Sequence, residues 1–176
     1  MSSIKEILKT KASDLKKDLG VSNEMALPQI SKVVVSVGTG RMRDKNEFVA
    51  DRLAKITGQK PSPRGARQSI AAFKLREKDV IGQAVTLRRS RMDDFLNRLI
   101  NVAIPRIRDF KGFSASSIDA MGNLTIGIKE HIAFPETADE DNRDVFGLAI
   151  TVVTTAKNKA EAKALFQALG FPFKKD

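Results

Sequence analysis

Strand-patterned segments in this chain come in pairs with no helix between the two members: residues 69–75 are followed directly by 80–87, and 124–130 by 148–155. A parallel neighbour needs a helical crossover, whereas successive strands joined by loops pair antiparallel. Single helical segments separate these pairs, and the elements run α, β, α, β, β, α, β, β, α. That order predicts an α+β fold with a largely antiparallel sheet and helices packed on one face. The other face and its edge loops remain available to a flat partner.

Each element has a local signature. Ile4, Ile7, Leu8, Leu15 and Leu19 recur at helical spacing, Ser2 or Ser3 can cap the start, and Gly20 can end it, which predicts a helix over 3–19. Its polar face carries Lys5, Lys9, Lys11, Lys16 and Lys17. After Pro28, the β-branched run 30–37 reads as a strand closed by Gly38-Thr39-Gly40. Asp44 and Glu47 make a capping box ahead of Phe48, Val49, Leu53 and Ile56, a stripe that stops at Gly58. Residues 59–67 hold two prolines and a glycine among basic residues and read as loop or edge strand, leading into the short strand 69–75. Ser90 with Asp93 caps a helix whose Met92, Phe95, Leu96, Leu99, Ile100 and Ala103 face the core until Pro105 stops it. Residues 105–122 read as a long surface arm. The acidic stretch of Glu136, Asp139, Glu140, Asp141 and Asp144 is expected to be exposed. Residues 158–169 form a last amphipathic helix, after which Phe171, Pro172 and Phe173 fold back on the core. With no repeat or low-complexity linker, residues 1–176 read as one domain, long enough to bury roughly 70% of its unfolded surface.

The charge is unevenly placed. The chain carries 31 Lys and Arg against 21 Asp and Glu. Residues 59–91 alone hold nine of the cations, Lys60, Arg64, Arg67, Lys74, Arg76, Lys78, Arg88, Arg89 and Arg91, against only Glu77 and Asp79. Such a footprint predicts a polyanionic partner. Arginine outnumbers lysine there, and its planar fork suits phosphate oxygens and base edges, which favours nucleic acid over an anionic membrane. Trp and Tyr are absent, so stacking on many exposed bases is not the main mode.

Catalytic chemistry finds little to work with. Cysteine is absent, which removes thiol nucleophiles, disulfides and Cys-ligated metals. The one histidine, His131, sits inside a predicted strand beside Glu130 with no identifiable acid-base partner, and reads as a structural or surface residue. Asp139, Asp141 and Asp144 lack the glycine and glutamate of a calcium loop, so no metal is expected. Gly38-Thr39-Gly40 lacks the rest of a phosphate loop, and Asn123-Leu124-Thr125 is an accidental glycosylation match. No catalytic residue and no cofactor are predicted. No apolar run approaches a membrane span and no signal-peptide core is visible, so a cytoplasmic chain is expected.

Several strings occur together in a specific order: Gly58-Gln59-Lys60-Pro61, Phe73-Lys74-Leu75-Arg76, Ile81-Gly82, Val85-Thr86-Leu87-Arg88 and Pro105-Arg106-Ile107-Arg108-Asp109-Phe110. Gly122-Asn123, Phe134-Pro135-Glu136, Thr154-Thr155-Ala156 and Gly170-Phe171-Pro172-Phe173-Lys174 complete the set. Over nearly its whole length the chain resembles the bacterial-type large-subunit ribosomal protein five, the 5S rRNA-binding protein of the central protuberance.

That resemblance implies a non-enzymatic component of the cytoplasmic ribosome. It implies 5S rRNA, 23S rRNA, P-site tRNA, a small-subunit head protein and neighbouring large-subunit proteins as partners. The 5S contact falls on Ser36, Gln59 and Thr86, with Lys60, Arg64, Arg67 and Arg88 added for phosphates. The tRNA contact falls on Phe73, Lys74, Arg76 and Lys78. The bridge to the small-subunit head falls on Arg108, Asp109, Phe110 and Lys111 of the arm and on Glu136, Asp139 and Asp141. Ser36 departs from the usual asparagine; a hydroxyl keeps one hydrogen bond where an amide can make two. Ala72 and Met121 also depart from the common residues. A general RNA chaperone and an RNA-processing enzyme are the alternatives; the enzyme would have to use Glu77 and Asp79.

Overall fold

The β-branched run after Pro28 forms the central strand, β1 (Ile30–Gly38). Alternation sends Val33, Val35 and Val37 to one face, where all three are buried, and Lys32, Val34 and Ser36 to the other, where they are half-exposed. The computed structural model describes residues 4–21, 23–40, 42–137 and 144–174. Within them β1 pairs with β3 (Val80–Leu87) on one side and β5 (Leu148–Thr154) on the other. β2 (Ser62–Gly65) and β4 (Leu124–Ile128) form the edges, giving the order β2-β3-β1-β5-β4 with every pairing antiparallel. The predicted α+β class is the observed one.

The valine face meets helices. Val49, Leu53 and Ile56 of α2 (Asn46–Thr57), Phe95 and Leu96 of α3 (Arg89–Arg98), and Ala162, Leu165 and Phe166 of α5 (Lys159–Ala168) join it in one core. The first helix, α1 (Ile4–Leu19), packs against α5 and α3 and buries Leu15. The opposite face is left open. By register it carries Val34 and Ser36, Ala84 and Thr86, Ala149 and Thr151, and Thr125 and Gly127.

Two glycines have a clear reason. Gly58 ends α2 in the left-handed region at φ 68°, donating its N–H to the Ala54 carbonyl. A Cβ at Gly82 would stand 2.8 Å from the Val37 carbonyl oxygen, inside the β1–β3 ladder.

Several local expectations are corrected. Residues 69–75 are not a strand: Ile70 and Leu75 make one bridge around a 3-10 turn at Ala71–Phe73. The chain must reverse between β2 and β3, and this is where it does so. Asp44 lies in a 3-10 turn before α2, whose first residue follows Lys45, and no side chain caps it. Ser90 and Asp93 lie inside α3, which begins at Arg89 without a side-chain cap. Pro105 does not stop the helix. Leu99–Ala103 widens into a π turn, which relieves the clash a proline makes with the carbonyl four residues back, and α4 (Ile104–Arg106) passes through it. Ser2, Ser3, Asp139, Glu140, Asp141 and the side chains of Lys5 and Lys9 lie outside the described residues. Residues 105–122 are held at Phe113 and Ile118, both buried and bridged to Phe173 and Leu124.

β4 ends before Glu130, and His131 opens a 3-10 turn rather than continuing a strand. Its ring is buried and stacks on Phe146, with centroids 4.2 Å apart, and its Nδ1 accepts the Phe146 N–H. The ends of the acidic stretch are not free either. Glu136 pairs with Arg98 and Asp144 with Lys45, and both carboxylates are half-buried.

Burial holds the His131 imidazole below its ordinary pKa of 6.5, with the Arg52 guanidinium adding to the effect against the pull of the Phe146 backbone. A folded-state pKa below the unfolded one adds stability that is present above pH 6.5 and is lost as pH falls through the lowered value. The urea midpoint should therefore decline between about pH 7 and pH 5, and His131→Phe should flatten that decline. An unchanged slope in the variant would assign it to other groups. Gly82→Ala, which forces β1 and β3 apart, should cost about 1–3 kcal/mol in the same assay.

Candidate nucleic-acid interface

Pro61 and Pro63 confine the segment after α2 to the sheet edge, where a missing N–H breaks no ladder. There β2 sets Ser62 opposite Ala84 and Arg64 opposite Gly82, so both share the open face. Ser36 also opposes Ala84, and Val34 opposes Thr86. Ser36 and Thr86 therefore stand diagonally on neighbouring strands of that face. Gln59 follows the Gly58 terminus of α2, and its side-chain amide donates to the Thr86 carbonyl at 3.4 Å. Its own N–H is received by the Thr57 hydroxyl, which fixes the turn. Arg88 is extended at φ −142° and continues the alternation of Ala84 and Thr86 toward the same side.

The structure thus gathers Ser36, Gln59, Thr86, Arg64 and Arg88 on one open face, with Lys60 exposed on the adjoining turn. Arg67 lies beyond them, at the base of a finger. That finger, residues 66–79, is a long hairpin loop tied by its own backbone. Ala66 and Lys78 donate to Asp79 and Ala66, at 2.8 and 2.9 Å, and Ile70 and Leu75 exchange bonds of 3.0 and 3.1 Å. Two side chains complete it: the Asp79 carboxylate accepts the Arg76 N–H and the Ser69 hydroxyl accepts the Glu77 N–H, each at 2.9 Å. Phe73 is 71% exposed at the tip, so it belongs to the surface rather than the core. Lys74, Arg76 and Lys78 are exposed around it, and Lys74 and Lys78 hold left-handed φ values of 49° and 71°.

The cations are left uncompensated. Among the described residues Lys60, Arg64, Arg67, Arg76, Lys78, Arg88, Arg89 and Arg91 are exposed and enter no ion pair. One of the two acids in the segment, Asp79, spends its carboxylate on a backbone amide. Among the described residues no cluster of His, Asp or Glu could hold a metal ion. Such an edge attracts phosphate and offers no arrangement for acid-base chemistry.

The other expected residues lie apart from this face. Arg108, Asp109 and Lys111 are exposed, with Asp109 at φ 52°. Phe110 packs edge-on to Phe113 at 4.9 Å and is half-buried. Glu136 is engaged by Arg98, and Asp139 and Asp141 are outside the described residues. Sequence reasoning missed Ser62, which the alternation through the proline segment could have placed on the open face. It also had no signal for Arg89, a non-glycine residue at φ 55° where β3 turns into α3.

Comparison with known proteins accounts for this arrangement. Residues 23–76 match the family model described as ribosomal protein L5, and residues 80–173 match the model of the C-terminus of the same ribosomal family. The large ribosomal subunit protein uL5 of Desulfatibacillum aliphaticivorans is 49% identical over 173 residues, covering 97% of both chains. That of Ureaplasma parvum serovar 3 is 48% identical over 179 residues, covering 99% of this chain and 97% of the relative. That of Anaeromyxobacter dehalogenans strain 2CP-1 is 46% identical over 165 residues, covering 92% of each. The one-sided sheet with its basic edge is therefore that of a structural protein of the ribosome, not an enzyme. The chain belongs to the ribosomal protein L5 family and is a constituent of the large subunit.

Because the Phe73 ring contributes little to the core, Phe73→Ala should shift unfolding free energy by no more than about 0.5 kcal/mol. A loss of several kcal/mol in chemical denaturation would give the ring a packing role instead.

Proposed function

We propose that this chain holds 5S rRNA on the large subunit through the open face of its sheet. The observation that carries the reading is continuity: the face bearing Ser36, Gln59 and Thr86 runs without a break into an edge of exposed, unpaired cations. In this reading the three polar residues meet ribose and base groups, while Lys60, Arg64, Arg67 and Arg88 neutralise phosphates. Small side chains on the face, Ala84, Ala149 and Gly127, let an RNA backbone approach closely. Ser36 supplies a single hydroxyl, so its contact lacks the two-pronged geometry of an amide.

The finger reaches a second RNA, the elbow of P-site tRNA, with Phe73 at its tip and Lys74, Arg76 and Lys78 for phosphates. Neighbouring 23S rRNA and large-subunit proteins border the same site. The bridge to a small-subunit head protein uses Arg108, Asp109, Phe110 and Lys111 with the acidic stretch of Glu136, Asp139 and Asp141. Two features weigh on that last part: Phe110 is packed on Phe113, and Glu136 already has Arg98. Exposed Arg108 and Lys111 are its best-supported members.

The test is binding of purified protein to 5S rRNA across a salt series, with an equal mass of tRNA as competitor. Binding should survive the competitor. Arg64→Ala with Arg67→Ala should weaken binding to every RNA and flatten the dependence of log affinity on log salt by about one per arginine removed. Gln59→Ala with Thr86→Ala should instead lower the preference for 5S rRNA at unchanged salt slope. Competition that abolishes binding would leave a general RNA chaperone, and equal losses in all variants would erase the division between recognition and neutralisation.

A further inference from the structure

Asp79 is one of only two negative charges, with Glu77, in a segment rich in cations, and near a polyanion it opposes binding. Its carboxylate nevertheless has a defined task, accepting the Arg76 N–H at 2.9 Å, and the Asp79 N–H returns to the Arg76 carbonyl at 3.2 Å. Ser69 does the same from the other limb of the finger, its hydroxyl accepting the Glu77 N–H at 2.9 Å. These two bonds hold the descending limb just ahead of Lys78.

The conformation so held is one the chain would not choose locally. Lys74 and Lys78 both sit in the left-handed region, at φ 49° and 71°, which costs a side-chain-bearing residue about 1 kcal/mol and which glycine would adopt without cost. Strain of that kind persists where surrounding bonds fix it, and it marks positions where a side chain matters more than backbone comfort. Here the side chains are two exposed lysines flanking Arg76, beside an aromatic ring that is 71% exposed.

We propose that Ser69 and Asp79 are positioning residues that preorganise the finger, fixing Phe73, Lys74, Arg76 and Lys78 in their RNA-contacting arrangement before RNA arrives. The inference rests on the reading of the finger as an RNA contact. A finger already ordered loses little conformational entropy on docking, so each bond to RNA adds more to affinity than it would from a floppy loop.

Charge and geometry predict opposite signs, which makes the proposal testable. Asp79→Ala removes a negative charge, so simple electrostatics would tighten RNA binding. Loss of the Arg76 tether should instead weaken it about three- to tenfold. Asp79→Asn removes the same charge but keeps a side-chain acceptor, and should bind as well as the parent or better. Ser69→Ala should behave like Asp79→Ala, and Ser69→Thr should restore binding. The probe is deacylated elongator tRNA bound to the P site of ribosomes carrying each full-length variant, with retention of 5S rRNA in the particle as the control.

Phe73→Ala and Lys74→Ala in the same assay separate the two ideas. If neither weakens tRNA, the finger is not the contact and the underlying reading fails. If both weaken it while Asp79→Ala binds as tightly as the parent or tighter, the positioning role fails alone. Amide hydrogen exchange on the free protein gives an independent readout. The Arg76 and Glu77 amides should be protected before any RNA is added and should lose protection in Asp79→Ala and Ser69→Ala respectively; unprotected amides in the parent would overturn preorganisation.

Discussion

Burial on one side of β1 is the constraint on which the rest of the molecule depends. Val33, Val35 and Val37 cannot be exposed together without losing several kcal/mol of apolar burial, at about 1.5–3 kcal/mol per side chain. Alternation then leaves no choice about where Ser36 and Val34 point. A helical layer over the valines fixes the register of β3 and β5 against them, and that register sets Ser36 diagonal to Thr86. The open face is therefore the other side of the core, made by the same period-two pattern. A one-residue slip of β1 would bury the polar residues and expose the valines, so stability of the fold and geometry of the open face are guarded by one constraint.

The finger obeys a different logic. Its residues are almost all exposed and no apolar cluster anchors its tip, so burial cannot define its shape. Backbone bonds and two side-chain acceptors take that role. The division resembles that between a rigid scaffold and its binding loops, where the scaffold is set by packing and the loop by local hydrogen bonding.

How much of this was legible in the sequence follows from the same contrast. The period-two run of β1, the glycine end of α2 and the stripes of α2, α3 and α5 were readable, because burial writes them as periodicity. The basic segment was readable as composition. The turn at Ala71–Phe73 was not: residues 69–75 read as a strand by position and type, yet Ile70, Ala71, Ala72 and Phe73 are all exposed and lack the burial that would hold them in a sheet. Both side-chain caps were misplaced, since Asp44 and Ser90 fit a local motif whose helix starts elsewhere for tertiary reasons. The pairing of Glu136 with Arg98 and of Asp144 with Lys45 was hidden too, as partners so far apart in the chain leave no local pattern.

The proline in β2 has a consequence for the life of the protein before assembly. An edge strand accommodates proline where its nitrogen faces solvent, so at Pro63 the outer rim of the sheet lacks a donor, and exposed Arg64 next to it adds charge. A second copy approaching edge to edge would find no ladder to extend and a like charge to meet. This edge of the sheet is thereby guarded against pairing with the edge strand of another copy before the protein is assembled.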